Sequence, residues 1–200
     1  MEIKAVLFDF GGVIAEEGFY QGLREIGARN DLDPEQFFRQ ADRIIYDSGY
    51  LTGRADEASF WNAVRKATGI MGTDTELRGI ILERFVLRPD MLAEVDRIRQ
   101  TGRTVGMLSD QTNWLEEIDS RADFLGRFDR VFNSFRMHKS KRDATVFLDV
   151  CGKLCRRPAE VLFVDDNPGH VERARMQGLR TILFTTPAEY LRQVDAFLRG

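Results

Sequence analysis

Short apolar runs that stop abruptly at a carboxylate or hydroxyl recur along this chain. Ala5-Val6-Leu7-Phe8 ends at Asp9, Thr104 to Leu108 ends at Ser109-Asp110, and Val161-Leu162-Phe163-Val164 ends at Asp165-Asp166. Runs of this length, bounded by turn residues, read as buried strands. Arg130 to Asn133 and Thr181 to Phe184 read as two more. Between the strands the period changes to that of a helix. Met91 to Gln100 carries Leu92, Val95 and Ile98 on one face, and further helical stretches cover 112–125, Asp143 to Arg156, 169–177 and the segment that opens at Pro187. Strands alternating with helices predict an α/β fold with a doubly wound parallel sheet.

One stretch breaks the alternation. From about Phe19 to Arg88 the pattern is helical throughout. Asp33-Pro34-Glu35-Gln36 is a helix start, with Asp as cap and Pro in the first turn. Thr73-Asp74-Thr75-Glu76 is a second, and Ala55 to Thr68 places Ala58, Trp61 and Val64 at helical spacing before Gly69. The expected organisation is a core made from residues 1–14 and 87–200, interrupted by a helical insertion over 15–86.

Composition narrows the class. A chain of 200 residues with 43% hydrophobic content suits one domain with a modest insertion. No run of 18 apolar residues suggests a membrane span, and the N-terminus enters a strand without a basic leader, so a cytoplasmic location is expected. Cys151 and Cys155 read as reduced residues rather than a metal site, which would need more ligands nearby. A net charge of −3 argues against nucleic-acid binding. An anionic substrate then needs positive charge held locally.

Strand ends supply the candidate chemistry. In a parallel sheet they all point one way, so Asp9, Ser109, Asp165-Asp166 and a loop carrying Lys141 can converge. Carboxylates gathered in one pocket repel unless a cation joins them, and Mg²⁺, which prefers hard oxygen ligands, is the expected one. With the Ser109 hydroxyl, nearby amides and Lys141, the set suits phosphoryl transfer. Asp9 could act as nucleophile and form an aspartyl-phosphate.

Four stretches carry a resemblance. Phe-Asp-Phe-Gly-Gly-Val-Ile at residues 8–14, Met-Leu-Ser-Asp at 107–110, His-Lys-Ser-Lys-Arg-Asp-Ala-Thr-Val-Phe at 138–147 and Phe-Val-Asp-Asp-Asn-Pro-Gly-His-Val-Glu at 163–172 resemble the motifs of the haloacid dehalogenase (HAD) superfamily. The insertion is similar to the small α-helical cap of one subclass. Within the family the nearest resemblance is to the α-D-glucose-1-phosphate phosphatases. This implies a Rossmann-like core, Asp9 as nucleophile, and Mg²⁺ held by Asp9, the Gly11 carbonyl and Asp166, with Asp165 in support. It also implies that Ser109 and the Asp110 amide hold the phosphoryl group while Lys141 bridges it to Asp9. The implied partner is a small phosphorylated substrate, such as a sugar 1-phosphate.

Two positions depart from the family pattern. Gly11 stands where most phosphatases of the superfamily carry a general acid and base. The expected consequence is a preference for good leaving groups, unless a residue such as Glu16 stands in. Arg142 stands where Pro is common, a change expected to alter only the loop. Glu16, Asp47, Tyr50 and Arg54 are the insertion's candidates for specificity. The alternatives are a hydrolytic dehalogenase, which needs no metal and so leaves Asp165-Asp166 without a purpose, and a binding protein that has lost catalysis at Gly11. A signalling receiver domain places its acidic residues in the reverse order.

Overall fold

The computed structural model describes residues 2–198. Five strands, β1 (Ala5–Phe8), β2 (Thr104–Ser109), β3 (Arg130–Asn133), β4 (Val161–Asp165) and β5 (Arg180–Leu183), form one parallel sheet in the order β3-β2-β1-β4-β5. Every residue of β1 and β4 is buried, as expected of strands covered on both faces. Among the described residues there are ten α-helices: α1 (Gly18–Arg29), α2 (Pro34–Asp47), α3 (Glu57–Thr68), α4 (Asp74–Leu82), α5 (Pro89–Gln100), α6 (Trp114–Ala122), α7 (Ser134–Met137), α8 (Thr145–Lys153), α9 (Pro168–Met176) and α10 (Pro187–Leu198). Helix α7 is the element that the sequence pattern did not predict. Four residues are too few to display a period.

Register brings the chemistry together. Phe8 lies opposite Met107 of β2 and Val164 of β4. Asp9, Ser109 and Asp165 therefore reach nearly the same level at one edge of the sheet. The Asp9 N–H still donates to Val164 O at 2.9 Å, which holds the nucleophile candidate against β4.

Helices α1 to α4 enter between β1 and α5, where the chain departs from the alternation. The starts of α2 and α4 are the predicted ones. The Asp33 carboxylate accepts from Gln36 N at 2.7 Å, and Thr73 and Glu76 form a reciprocal capping box. Residues on either side of the insertion run together: Glu16 N donates to Val86 O and Arg88 N to Ile14 O, both at 2.8 Å. The Arg88 guanidinium also holds the carbonyls of Gly12 and Val13. One hydrophobic cluster runs from Val6 and Phe8 in the sheet through Leu23, Ile26 and Phe37 of the inserted helices. At its far side Trp114 of α6 packs on Trp61 of α3 at 6.1 Å and on Tyr50 at 5.7 Å. No helix among the described residues is long and apolar enough to cross a membrane.

Candidate active site

Lys141 is the centre of the site. Its Nζ lies 2.7 Å from Asp9 Oδ2 and 2.7 Å from Asp165 Oδ2, and the side chain is 1% exposed. Burial alone would lower the ammonium's pKa, but Asp165 and Asp9 together outweigh it and hold the charge far above its usual range. The loop that delivers Lys141 is anchored at both ends of its peptide. Lys141 N donates to Asp110 Oδ1 at 2.8 Å, and Arg173 Nε donates to Lys141 O at 2.8 Å.

Each carboxylate has its own surroundings. Asp165 is fully buried; burial would raise its pKa, yet Lys141 and the His170 contact outweigh that and hold it well below the carboxylate range. Its Oδ1 accepts from Asn167 N at 2.7 Å, and its Oδ2 faces Lys141 and His170 Nδ1, the latter at 3.3 Å. Asp9 is pushed well above its ordinary value, first by burial, then by Asp165 and Asp166, with Lys141 opposing. Asp166 is raised by burial and by Asp165. Two raised carboxylates beside one lysine mark excess negative charge that a cation would relieve. Oxygens of Asp9 and Asp165 and a nitrogen of His170 lie within 4.8 Å of one another.

Asp166 lies over Gly12, where φ is +81° and a Cβ would fall inside contact distance of its carboxylate. Here glycine is required by the backbone angle and by the close approach. Asp9, Lys141, Asp166 and His170 line a cavity of about 350 Å³ that residues of α1 and α2 also line. Ser109 and Asp110 line it as well.

A family model for haloacid dehalogenase-like hydrolases matches residues 3–178. The chain belongs to that family. The chain is 30% identical over 155 residues to drimenol cyclase drtB of Aspergillus calidoustus, a match covering 74% of this chain and 28% of that protein's length. The fold is similar to that of HAD family enzyme BT-2542 of Bacteroides thetaiotaomicron in complex with magnesium and inorganic phosphate, with TM-score 0.72, 22% identity and 92% and 94% of the two chains covered. It is similar also to L-2-haloacid dehalogenase of Xanthobacter autotrophicus, with TM-score 0.66, 19% identity and 97% and 83% covered.

Against this HAD background, Asp9, Gly11, Ser109, Asp110, Lys141 and Asp166 all line one cavity, and Asp165 lies directly behind Lys141. The Asp110 side chain does something the sequence did not suggest. It accepts from Ser134 Oγ at 2.5 Å, from Lys141 N, and from the Tyr46 hydroxyl at 3.1 Å, so it joins β2, α7, the lysine loop and α2. Arg142 likewise reaches beyond its loop: its guanidinium stacks 3.2 Å from the Tyr46 ring centroid and pairs with Asp42 at 2.9 Å. The expectation that Arg142 alters only the loop is therefore corrected.

The four insertion candidates also fall elsewhere. Glu16 pairs with Arg88 at 3.0 Å, Asp47 with Arg43 at 3.2 Å, Arg54 contacts His138 O, and Tyr50 is buried with its hydroxyl on Asn113 at 2.8 Å. None of them lines the cavity. Glu17 does. It caps α1 by accepting from Tyr20 N at 3.3 Å, and a Cβ on Gly11 would collide with its Oε2. Burial, then the Asp166 charge, push its pKa up to about 7. His170 is the other functional candidate without a role in the sequence reading, although its motif was in view.

Proposed function

We propose that this chain is a Mg²⁺-dependent phosphatase that hydrolyses a small phosphomonoester through an aspartyl-phosphate on Asp9. The observation that carries the reading is the single buried ammonium of Lys141 held between Asp9 and Asp165, with Asp166 and Glu17 on the same cavity. One lysine cannot balance that many carboxylates. The donors Asp9, Asp166 and the Gly11 carbonyl fit Mg²⁺, since they are hard oxygens and the glycine at 12 leaves Asp166 room over the backbone. Asp9, Asp166 and the Gly11 carbonyl would hold the ion, with Asp165 in support, its own oxygens being engaged by Lys141, His170 and Asn167 N. When bound, Mg²⁺ supplies positive charge to the phosphoryl oxygens.

The chain's own groups divide the remaining work. Ser109 and the Asp110 amide would bind the phosphoryl group, and Lys141 would neutralise it while opposing the protonation of Asp9 and orienting it. Asp9 forms a bond to phosphorus as the ester oxygen leaves. Glu17 takes the place that a side chain at position 11 would fill, and is the group that gives the leaving oxygen its proton. Water then attacks phosphorus in the acyl phosphate, Glu17 takes the proton back, and phosphate and Asp9 are released. The inserted helices, residues 15–86, act as a cap over this floor.

The test is phosphate release from a panel of monoesters with Mg²⁺ and in excess chelator, for the parent chain and Asp9→Asn. Loss of turnover in chelator and in the variant, with an unchanged fold by circular dichroism, is expected. Undiminished hydrolysis in either case would overturn the reading, as would halide release from a 2-haloacid in chelator without any phosphatase activity.

A further inference from the structure

The floor of the cavity is acidic and polar, but its roof is not. Phe19, Phe38, Ile45, Leu51 and Phe85 face it, together with Tyr20 and Tyr46. Phe38 is only part-buried and packs edge-on against Tyr20 at 4.8 Å, so its ring is available to a bound molecule rather than locked in the core. A ring of this kind rewards apolar surface, and it offers a hydroxylated group nothing in return for its lost water.

Polar groups in the roof are already engaged. The Tyr20 hydroxyl donates to Glu35 at 2.7 Å, the Tyr46 hydroxyl donates to Asp110, and Asp42 is paired with Arg142. Charge adds a second restriction. Lys141 is the one Lys or Arg that lines the cavity, and it already faces two carboxylates. Glu17, Asp42, Asp110 and Asp166 line the same space. A second anionic group on the substrate would find no second Lys or Arg in the lining and would lie among these carboxylates.

We infer that the substrate is the monophosphate of a small, uncharged, apolar alcohol, its ring or branched carbon skeleton lying against Phe38, Phe19 and Phe85, and that it is not a sugar phosphate. This rests on the phosphatase reading above. It replaces the sugar 1-phosphate suggested by resemblance, because the hydroxyls of a sugar lying against these aromatic rings would give up water for apolar surface, and the polar groups beside the rings, Asp42 and the Tyr20 and Tyr46 hydroxyls, already hold partners.

The decisive comparison matches leaving groups, so that only the organic part differs. Cyclohexylmethyl phosphate is the hydroxyl-free carbocyclic counterpart of glucose 6-phosphate, and both leave as primary alcohols. With Mg²⁺ present, kcat/KM is expected to be at least about 10²-fold higher for cyclohexylmethyl phosphate. Phe38→Asn should shrink that ratio by about tenfold, through a raised KM for cyclohexylmethyl phosphate. Equal or better use of glucose 6-phosphate would overturn the inference and leave the phosphatase standing. A ratio that survives Phe38→Asn would remove the roof as the selector and overturn it too. No release from any ester, acetyl phosphate included, would instead sink the phosphatase reading beneath it.

Discussion

At the scale of single residues, Glu17 changes what Gly11 means. Alone, Gly11 predicts an enzyme that needs good leaving groups. A carboxyl in the space a side chain there would occupy predicts one that tolerates poor ones. Glu17→Gln should therefore lower kcat/KM by about 10²–10⁴-fold for alkyl phosphates and much less for acetyl or aryl phosphates. The check is a plot of log kcat/KM against leaving-group pKa for both proteins; parallel lines would show that Glu17 carries no proton to the leaving oxygen. The same residue predicts a stability profile in the metal-free protein. In the unfolded chain Glu17 titrates near 4.5, and in the fold near 7. Below the lower value both states hold the proton and nothing is lost. Between the two the unfolded chain releases it and the fold does not, so stability falls as pH rises, and the penalty is complete above about 7. It is of order 1–3 kcal/mol. Urea unfolding in chelator should show Glu17→Gln gaining on the parent from pH 5 to 7; equal slopes would refute this.

At the scale of elements, the turn leaving β1 matters most. Gly12 sits at φ +81° beneath Asp166, and Arg88 from the far side of the insertion grips the turn's carbonyls. An alanine here adds backbone strain of about 1–2 kcal/mol and displaces Asp166. Gly12→Ala is expected to weaken Mg²⁺ activation more than it lowers the melting temperature. A variant with normal Mg²⁺ dependence would show that Asp166 works from another position. Asp110 illustrates the same scale: one side chain ties the lysine loop to α2, so the positions of floor and roof are coupled through it.

For the whole molecule, the inserted helices share a hydrophobic cluster with one face of the sheet, while the other face packs a second cluster against α8. The seam of Trp114 with Trp61, Tyr50 and Phe60 closes the side away from the pocket. Trp114 is fully buried there. Trp114→Ala should cost about 3–5 kcal/mol. The parent should unfold in one transition, with far- and near-ultraviolet circular dichroism superimposing in urea. Two separated transitions would show that the helices and the sheet are separate cooperative units.

Local pattern was enough for the five strands, their alternation with helices, and the caps at Asp33 and Thr73, because strand and helix periods and cap hydrogen bonds are set within a few residues. It was also enough for Asp9, Ser109, Lys141, Asp165 and Asp166 to meet, since parallel strands must end on the same side. Which side chains of the insertion face that edge was decided only by packing. Glu16 and Glu17 precede α1, where no helical period applies, and Glu16 pairs with Arg88 while Glu17 enters the cavity. Tyr50 was drawn inward by Trp114, leaving Tyr46 to reach Asp110. Such choices depend on contacts between residues 60 or more apart in the chain, and no period in the sequence records them.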